Sequence, residues 1–167
     1  MDARPILLLL ARTLEECGLE AVLIGNAAAA LHGAPVTTLD FDFLIRKTSR
    51  NVAKVKEVAR KLGGMVLRPY YPASDLLRVT RDDDGLQVDF MGTIHGVRSF
   101  ERLRSRARAV SLGGHLLLVA HLGDVVQSKR AAGRPRDRAV LEILERTLRE
   151  QEEGIKAKKV GRPQAGK

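Results

Sequence analysis

One short stretch, residues 22–45, constrains the fold more than any other part of the chain. An apolar strand ends at Gly25, an alanine-rich turn of helix follows, and a second apolar strand carries Asp40 and Asp42. Residues two apart on a strand project from the same face, so these two carboxylates lie side by side. They repel one another unless a cation lies between them, and Mg²⁺ commonly takes one or two carboxylates together with substrate phosphates. The alternative is a pair of solvent-facing aspartates on an edge strand.

The surroundings of this acidic pair carry a second pattern. Gly25-Asn26 follows the first strand, a spacer of residues 27–39 comes next, and the D-F-D motif then lies among apolar residues. This arrangement resembles the signature of the DNA polymerase β-like nucleotidyltransferase superfamily, which is Gly-Gly or Gly-Ser, a spacer, and D-x-[DE]. The HG and TT pairs within the spacer are similar to those of its small bacterial, toxin-like members. Asn26 departs from the signature, because Gly or Ser usually stands there.

The resemblance implies an activity and a set of site residues. The reaction would be transfer of a nucleoside monophosphate from an NTP to a hydroxyl acceptor, with release of pyrophosphate. Asp40 and Asp42 would hold Mg²⁺, of which two ions are expected. Asp89, inside the strand pattern LQVDFM, would be the third carboxylate, which ligates the second metal or accepts the proton of the attacking hydroxyl. Gly25 and Asn26 would lie against the phosphates. The alternative for Asp89 is an outward-facing residue of an alternating strand.

A second segment, HLGDVVQSKRAAGRPRDRAVLEIL from His121, resembles the C-terminal helical part of the small nucleotidyltransferases. There, the resemblance implies that cations reach the triphosphate. Lys129 would act as a point charge and Arg134 as a bidentate fork, and Lys129 is the favoured candidate. The alternative for Arg134 is an ion pair with Asp137 that ties two helices together.

Hydrophobic periodicity and turn signals predict an α/β fold: a small mixed β-sheet flanked by helices, with C-terminal helices that close one side of a cleft. The predicted helices cover residues 5–17, 26–32, 49–62, 97–103, 121–132 and 135–150. The predicted strands cover residues 20–25, 38–45, 65–70, 76–81 and 86–91, with a further hairpin over 110–119. Residues 1–150 would form one nucleotidyltransferase domain, whose C-terminal helical part begins near 121. Residues 151–167 lose apolar periodicity and are predicted to form a disordered basic tail.

Composition narrows the classes of partner. The net charge of +9 attracts polyanions, so nucleic acid and a triphosphate both suit it. Arg104, Arg106 and Arg108 would share one face if they lie on a strand, either as a basic stripe or as an ordinary exposed face. An aromatic content of 4% without tryptophan argues against a single-strand binder that stacks bases on rings. The single cysteine suits a reducing cytoplasm, and no apolar run approaches the length of a membrane span.

Two other functions stay open beside the enzyme. Asn26 motivates a catalytically inactive nucleotidyltransferase-like protein, which would act as a binding or regulatory partner in a toxin–antitoxin type pair. The positive charge alone would suit a nucleic-acid-binding module. For the enzyme, the acceptor classes used in the superfamily include RNA such as tRNA 3′ ends, protein side chains and small molecules. The basic surface favours RNA among these.

Overall fold

The computed structural model describes residues 3–68 and 75–160, and its organising element is a mixed seven-stranded sheet. The helices are α1 (Arg4–Glu16), α2 (Gly25–Leu31), α3 (Ser49–Leu62), α4 (Phe100–Arg106), α5 (Leu122–Ala132) and α6 (Pro135–Val160). The strands are β1 (Ala21–Ile24), β2 (Asp40–Ile45), β3 (Met65–Leu67), β4 (Leu77–Arg81), β5 (Leu86–Met91), β6 (Arg108–Leu112) and β7 (His115–Val119).

The strand order β3-β4-β5-β2-β1-β7-β6 puts β2 in the middle of the sheet. Strand β2 pairs antiparallel with β1 and parallel with β5, while β1 also pairs parallel with β7. The register sets Asp42 opposite Ile24 on one side and opposite Asp89 on the other. The predicted α/β architecture with a mixed sheet and C-terminal helices is confirmed. This register brings the acidic residues of two strands together.

The two faces of β2 differ in character, as its alternating sequence predicts. Phe41 and Phe43 are buried in the core, whereas Asp40 is exposed and Asp42 partly buried on the opposite face. Phe43 stacks on Phe90 of β5 with ring centroids 5.5 Å apart. Burial of such a side chain contributes about 1.5–3 kcal/mol to folding. The apolar face therefore fixes the orientation of β2 and β5, and that orientation turns the carboxylates away from the core.

Local signals set the ends of several elements. The Thr48 hydroxyl accepts a hydrogen bond from the backbone N–H of Asn51 at 3.1 Å and caps α3, which ends at Gly63 in a left-handed conformation (φ 71°). The β4–β5 hairpin turns through an aspartate run that ends at Gly85 (φ 68°). Helix α2 begins at Gly25, one residue before the predicted start, and Ile24 is its N-cap.

The prediction that disorder begins at residue 151 is wrong for residues 151–160, because α6 continues through Val160. The Glu, Lys and Ala residues of this segment favour a helix even where they have no core to pack against. At its start, the Gln151 side-chain amide donates a hydrogen bond to the carbonyl oxygen of His32 at 2.5 Å. Residues 161–167 lie outside the described residues, as do the last residues of the predicted strand 65–70. Within residues 3–68 and 75–160, no helix combines the length and apolarity needed to cross a bilayer.

The three arginines at 104, 106 and 108 do not share a strand, so neither the basic stripe nor the exposed strand face considered for them forms. Arg104 and Arg106 belong to α4, and only Arg108 lies on a strand. Arg104 bonds to Glu20 at 2.6 Å and Arg106 bonds to a buried carboxylate of α5 at 2.8 Å. These two arginines stabilise contacts between elements, because each is already paired with a carboxylate of another segment.

Candidate functional site

A cleft of about 670 Å³ lies between the sheet and the helices α5 and α6. One wall consists of the ends of β1 and β2 with residues of β4 and β5, and the other consists of α5 and the first turn of α6. Both walls carry charged side chains. On the sheet side these are Asp40, Asp42, Arg78 and Asp89, together with Asp75 just before β4, and on the helix side they are Asp124, Lys129, Arg134, Arg136 and Asp137.

Asp42 is the most perturbed ionisable group of the sheet wall. Burial, followed by the negative charges of Asp89 and Asp40, raises its pKa from 3.8 to about 6. Lys129 and Arg136 act in the opposite direction, so both cations lie near enough to Asp42 to stabilise its charged form. The structure thus brings the three predicted carboxylates to one place, where burial and the neighbouring carboxylates disfavour the charged form of the central one.

Gly25 lies against this carboxylate. A Cβ atom built on Gly25 would come within 2.7 Å of the Oδ2 atom of Asp42, and its φ of +69° is a conformation that other residues rarely adopt. The backbone conformation therefore favours glycine at this position, and a larger residue would also have to displace the carboxylate of Asp42. Asn26 follows in the first turn of α2 and lines the cleft, and its buried Oδ1 atom has no hydrogen-bond partner among the described residues.

The third carboxylate, Asp89, is held by an arginine that the sequence interpretation missed. The Nε and Nη2 atoms of Arg78 donate to the two oxygens of Asp89, each at 2.8 Å. Hydrogen bonds to Asp89 are the first cause that raises the pKa of Arg78, and the charges of Asp89, Asp40 and Asp42 add to it against the opposing effect of burial. Arg78 therefore faces all three carboxylates. The turn between β4 and β5 could have predicted this pair, because it fixes the register of the two strands and so sets Arg78 directly opposite Asp89.

On the helix wall, Lys129 is mostly buried and its Nζ atom lies 3.3 Å from Oδ1 of Asp137. The predicted alternative, an ion pair of Asp137 with Arg134, is not the pair that forms. The Oδ2 atom of Asp137 is buried and has no partner in the part of the chain that the structure describes. Arg134 lines the cleft and is exposed. Arg136 was missed by the sequence interpretation, because nothing in the sequence shows which arginine of this turn points towards Asp42.

Asp40 and Asp42 fit a divalent cation better than Asp89 does. They share one face of β2, and burial followed by the charges of Asp89 and Asp40 raises the pKa of Asp42, a shift that a bound cation would oppose. Both oxygens of Asp89 already accept hydrogen bonds from Arg78. Within the described residues, no three His, Cys, Asp or Glu side chains are arranged as a ready metal cage. The site therefore offers two carboxylates to a cation and keeps the third paired.

Solved structures with the same fold include ANT(2″)-Ia, a putative nucleotidyltransferase and a nucleotidyltransferase-like protein. ANT(2″)-Ia, in complex with adenylyl-2″-tobramycin, matches with a TM-score of 0.62 and 12% identity over 94% of this chain and 96% of that chain. TM1012, a putative nucleotidyltransferase from Thermotoga maritima, matches with a TM-score of 0.58 and 21% identity over 87% and 92%. An antigenic nucleotidyltransferase-like protein from Paracoccidioides brasiliensis matches with a TM-score of 0.56 and 12% identity over 88% and 75%.

These likenesses establish the fold, and the resemblance read from the two motifs is confirmed. No curated protein matches the sequence. Residues 3–163 match the model of the family described as nucleotidyl transferase of unknown function (DUF2204), so the chain belongs to this nucleotidyltransferase family.

Proposed function

We propose that the protein is an active, Mg²⁺-dependent enzyme that transfers a nucleoside monophosphate from an NTP to a hydroxyl group and releases pyrophosphate. The observation that carries this proposal is the position of Asp42. Burial and two neighbouring carboxylates disfavour its charged form, and it lies beside a glycine where a larger residue would be strained. The opposite wall of the cleft presents cations. A site of this kind suits a metal-bound triphosphate, because the metal ion would supply positive charge next to the carboxylates.

Asp40 and Asp42 would hold Mg²⁺. When bound there, Mg²⁺ supplies charge that neutralises the phosphate oxygens. Gly25 leaves room beside Asp42 because it has no side chain, and Asn26 places an amide at the same end of the cleft. Lys129 and Arg136 lie across the cleft, where they offset the negative charge of the triphosphate and of the departing pyrophosphate. Rate enhancement then comes from positioning and electrostatic stabilisation.

Asp89 is the candidate proton acceptor for the attacking hydroxyl. Its two bonds to Arg78 use one lone pair on each oxygen, and a carboxylate has about four acceptor sites in all. Each oxygen therefore keeps a lone pair that can take the proton. Arg134 is exposed at the mouth of the cleft and would contact the phosphates as a second cation.

The proposal also concerns the class of molecule that accepts the nucleoside monophosphate. The net charge of +9 supports a polyanionic acceptor such as tRNA in the cytoplasm. Among the proteins of the same fold, the complex of ANT(2″)-Ia contains adenylyl-2″-tobramycin, which supports a small hydroxylated acceptor. A protein acceptor is the third class, and one assay separates the three.

Purified protein is incubated with each α-³²P-labelled NTP, Mg²⁺ and, in turn, total tRNA, a cell lysate and a set of aminoglycosides. We expect label on one acceptor class with the wild type and with Asp82→Asn, an exposed turn aspartate outside the cleft. Asp42→Asn and EDTA should abolish transfer. Full activity of Asp42→Asn would refute the metal assignment. No transfer, together with no Mg²⁺-dependent NTP binding by calorimetry, would favour the inactive partner of a toxin–antitoxin type pair.

A further inference from the structure

We propose that Arg78 takes the place of a second divalent cation beside Asp89, so that the cleft binds a single metal ion at Asp40 and Asp42. This inference rests on the proposed function, which requires a divalent cation at the β2 carboxylates. The resemblance of the sequence to the nucleotidyltransferase superfamily implies two metal ions, whereas this inference gives one.

The ion pair between Arg78 and Asp89 is buried on the Asp89 side, and it is bidentate. Asp89 is only 6% exposed, and both of its oxygens accept from the guanidinium of Arg78 at 2.8 Å. Strands β4 and β5 pair over five consecutive positions from Leu77 to Arg81, and the register places Arg78 directly across from Asp89. The pairing of the two strands therefore positions the guanidinium next to the carboxylate. Two parallel hydrogen bonds give such a pair a defined geometry that a single contact lacks.

Arg78 already supplies a positive charge to this group of carboxylates. It bonds to both oxygens of Asp89, and the charges of Asp40 and Asp42 also act on it. A guanidinium is always protonated in proteins, so this positive charge is permanent, whereas a metal ion would exchange with solvent. A second metal ion at Asp89 would have to displace both hydrogen bonds of Arg78.

An ordinary structural ion pair is the competing explanation, and the same strand offers a matched example of one. Arg81 also forms a bidentate pair, with Nε 2.9 Å and Nη2 2.7 Å from the oxygens of Asp84. That pair lies in the β4–β5 turn, and neither member lines the cleft. Loss of Arg81 therefore reproduces the loss of a bidentate arginine without touching the acidic cluster.

The experiment measures how many Mn²⁺ ions the full chain binds, by the decrease of the free Mn²⁺ signal in electron paramagnetic resonance at pH 7.5. We expect one Mn²⁺ per chain for the wild type, two for Arg78→Met and one for the control Arg81→Met. Asp89→Asn should keep one ion, because Asp89 is not a ligand in the wild type. This variant preserves the shape of the side chain, so it carries the test if Arg78→Met does not fold.

The outcomes separate this inference from the proposed function. Two ions on the wild type, reduced to one by Asp89→Asn, would overturn the role of Arg78 while leaving a divalent-cation enzyme in place. One ion on folded Arg78→Met would also overturn it, because removal of the guanidinium would then free no site. Absence of any Mn²⁺ on the wild type would refute the metal site of the proposed function and this inference with it. Asp42→Asn, which should bind no ion, verifies that the counted ion is the one in the cleft.

Discussion

Asp42→Asn should make the metal-free protein more stable, although it removes a central residue of the proposed site. The pKa of Asp42 rises from 3.8 to about 6 because of burial and the nearby carboxylates. A difference of about two pKa units corresponds to a cost of up to about 3 kcal/mol for the charged form in the folded state. Asparagine has nearly the same shape and no charge, so the variant avoids that cost. For a chain of this size the gain corresponds to about 6–12 °C in Tm.

The pH dependence follows from the direction of the shift. The folded protein holds the Asp42 proton more tightly than the unfolded chain does, so the free energy of unfolding of the wild type falls as pH rises from about 4 to about 6. The advantage of Asp42→Asn should be absent near pH 4 and complete at pH 7.5. Thermal and urea unfolding in EDTA at both values measure it, with Asp82→Asn as the control in an exposed turn. A variant that melts at or below the wild type at pH 7.5, or with equal gains at both pH values, would refute the reasoning.

Three further substitutions test other contacts of the cleft. Gly25→Ala should weaken Mn²⁺ binding by about tenfold or more and lower the Tm, because its Cβ atom would lie 2.7 Å from an Asp42 oxygen at a φ of +69°; unchanged Mn²⁺ affinity would contradict this contact. Arg136→Gln should weaken binding of a fluorescent NTP by about tenfold, roughly the worth of one charge-assisted hydrogen bond, while Arg138→Gln in the same helical turn should not. Lys129→Met should cost about 3–5 kcal/mol in urea unfolding, because it leaves a buried carboxylate without its ion-pair partner; a cost under about 1 kcal/mol would contradict the contribution of this ion pair to folding.

The elements that sequence analysis located well are those with local signals. Helix α3 has a capping threonine before it and a glycine after it, and the β4–β5 hairpin has an Asp-Gly turn. The parallel pairing of β2 with β5 and of β1 with β7 has no local signal, because it depends on packing between segments that are far apart in the chain. The extension of α6 past residue 150 was missed because amphipathic periodicity ends there, whereas helix propensity does not.

The residues of the candidate site likewise divide into those that the sequence could predict and those that it could not. Asp40, Asp42 and Gly25 follow from the motif, since strand alternation alone puts the two carboxylates on one face. Arg78 was within reach, because the Asp-Gly turn fixes the cross-strand register, but its pairing with a carboxylate matters only once that carboxylate is known to line a cleft. Arg136 was beyond reach, because the choice between it and Arg134 depends on the angle at which α6 leaves the turn after α5.

The stability of the metal-free protein also separates the three functional hypotheses. Burial and the nearby carboxylates disfavour the charged form of Asp42, and at neutral pH a bound cation would offset that cost in the wild type. An enzyme site should therefore show a wild type whose Tm rises with Mg²⁺ and an Asp42→Asn variant whose Tm does not. An inactive partner that binds no cation should give the same Tm for the wild type in EDTA and in Mg²⁺. A nucleic-acid-binding module should keep its affinity in Asp42→Asn and lose it steeply with salt, because that affinity comes from the basic surface and not from the cleft.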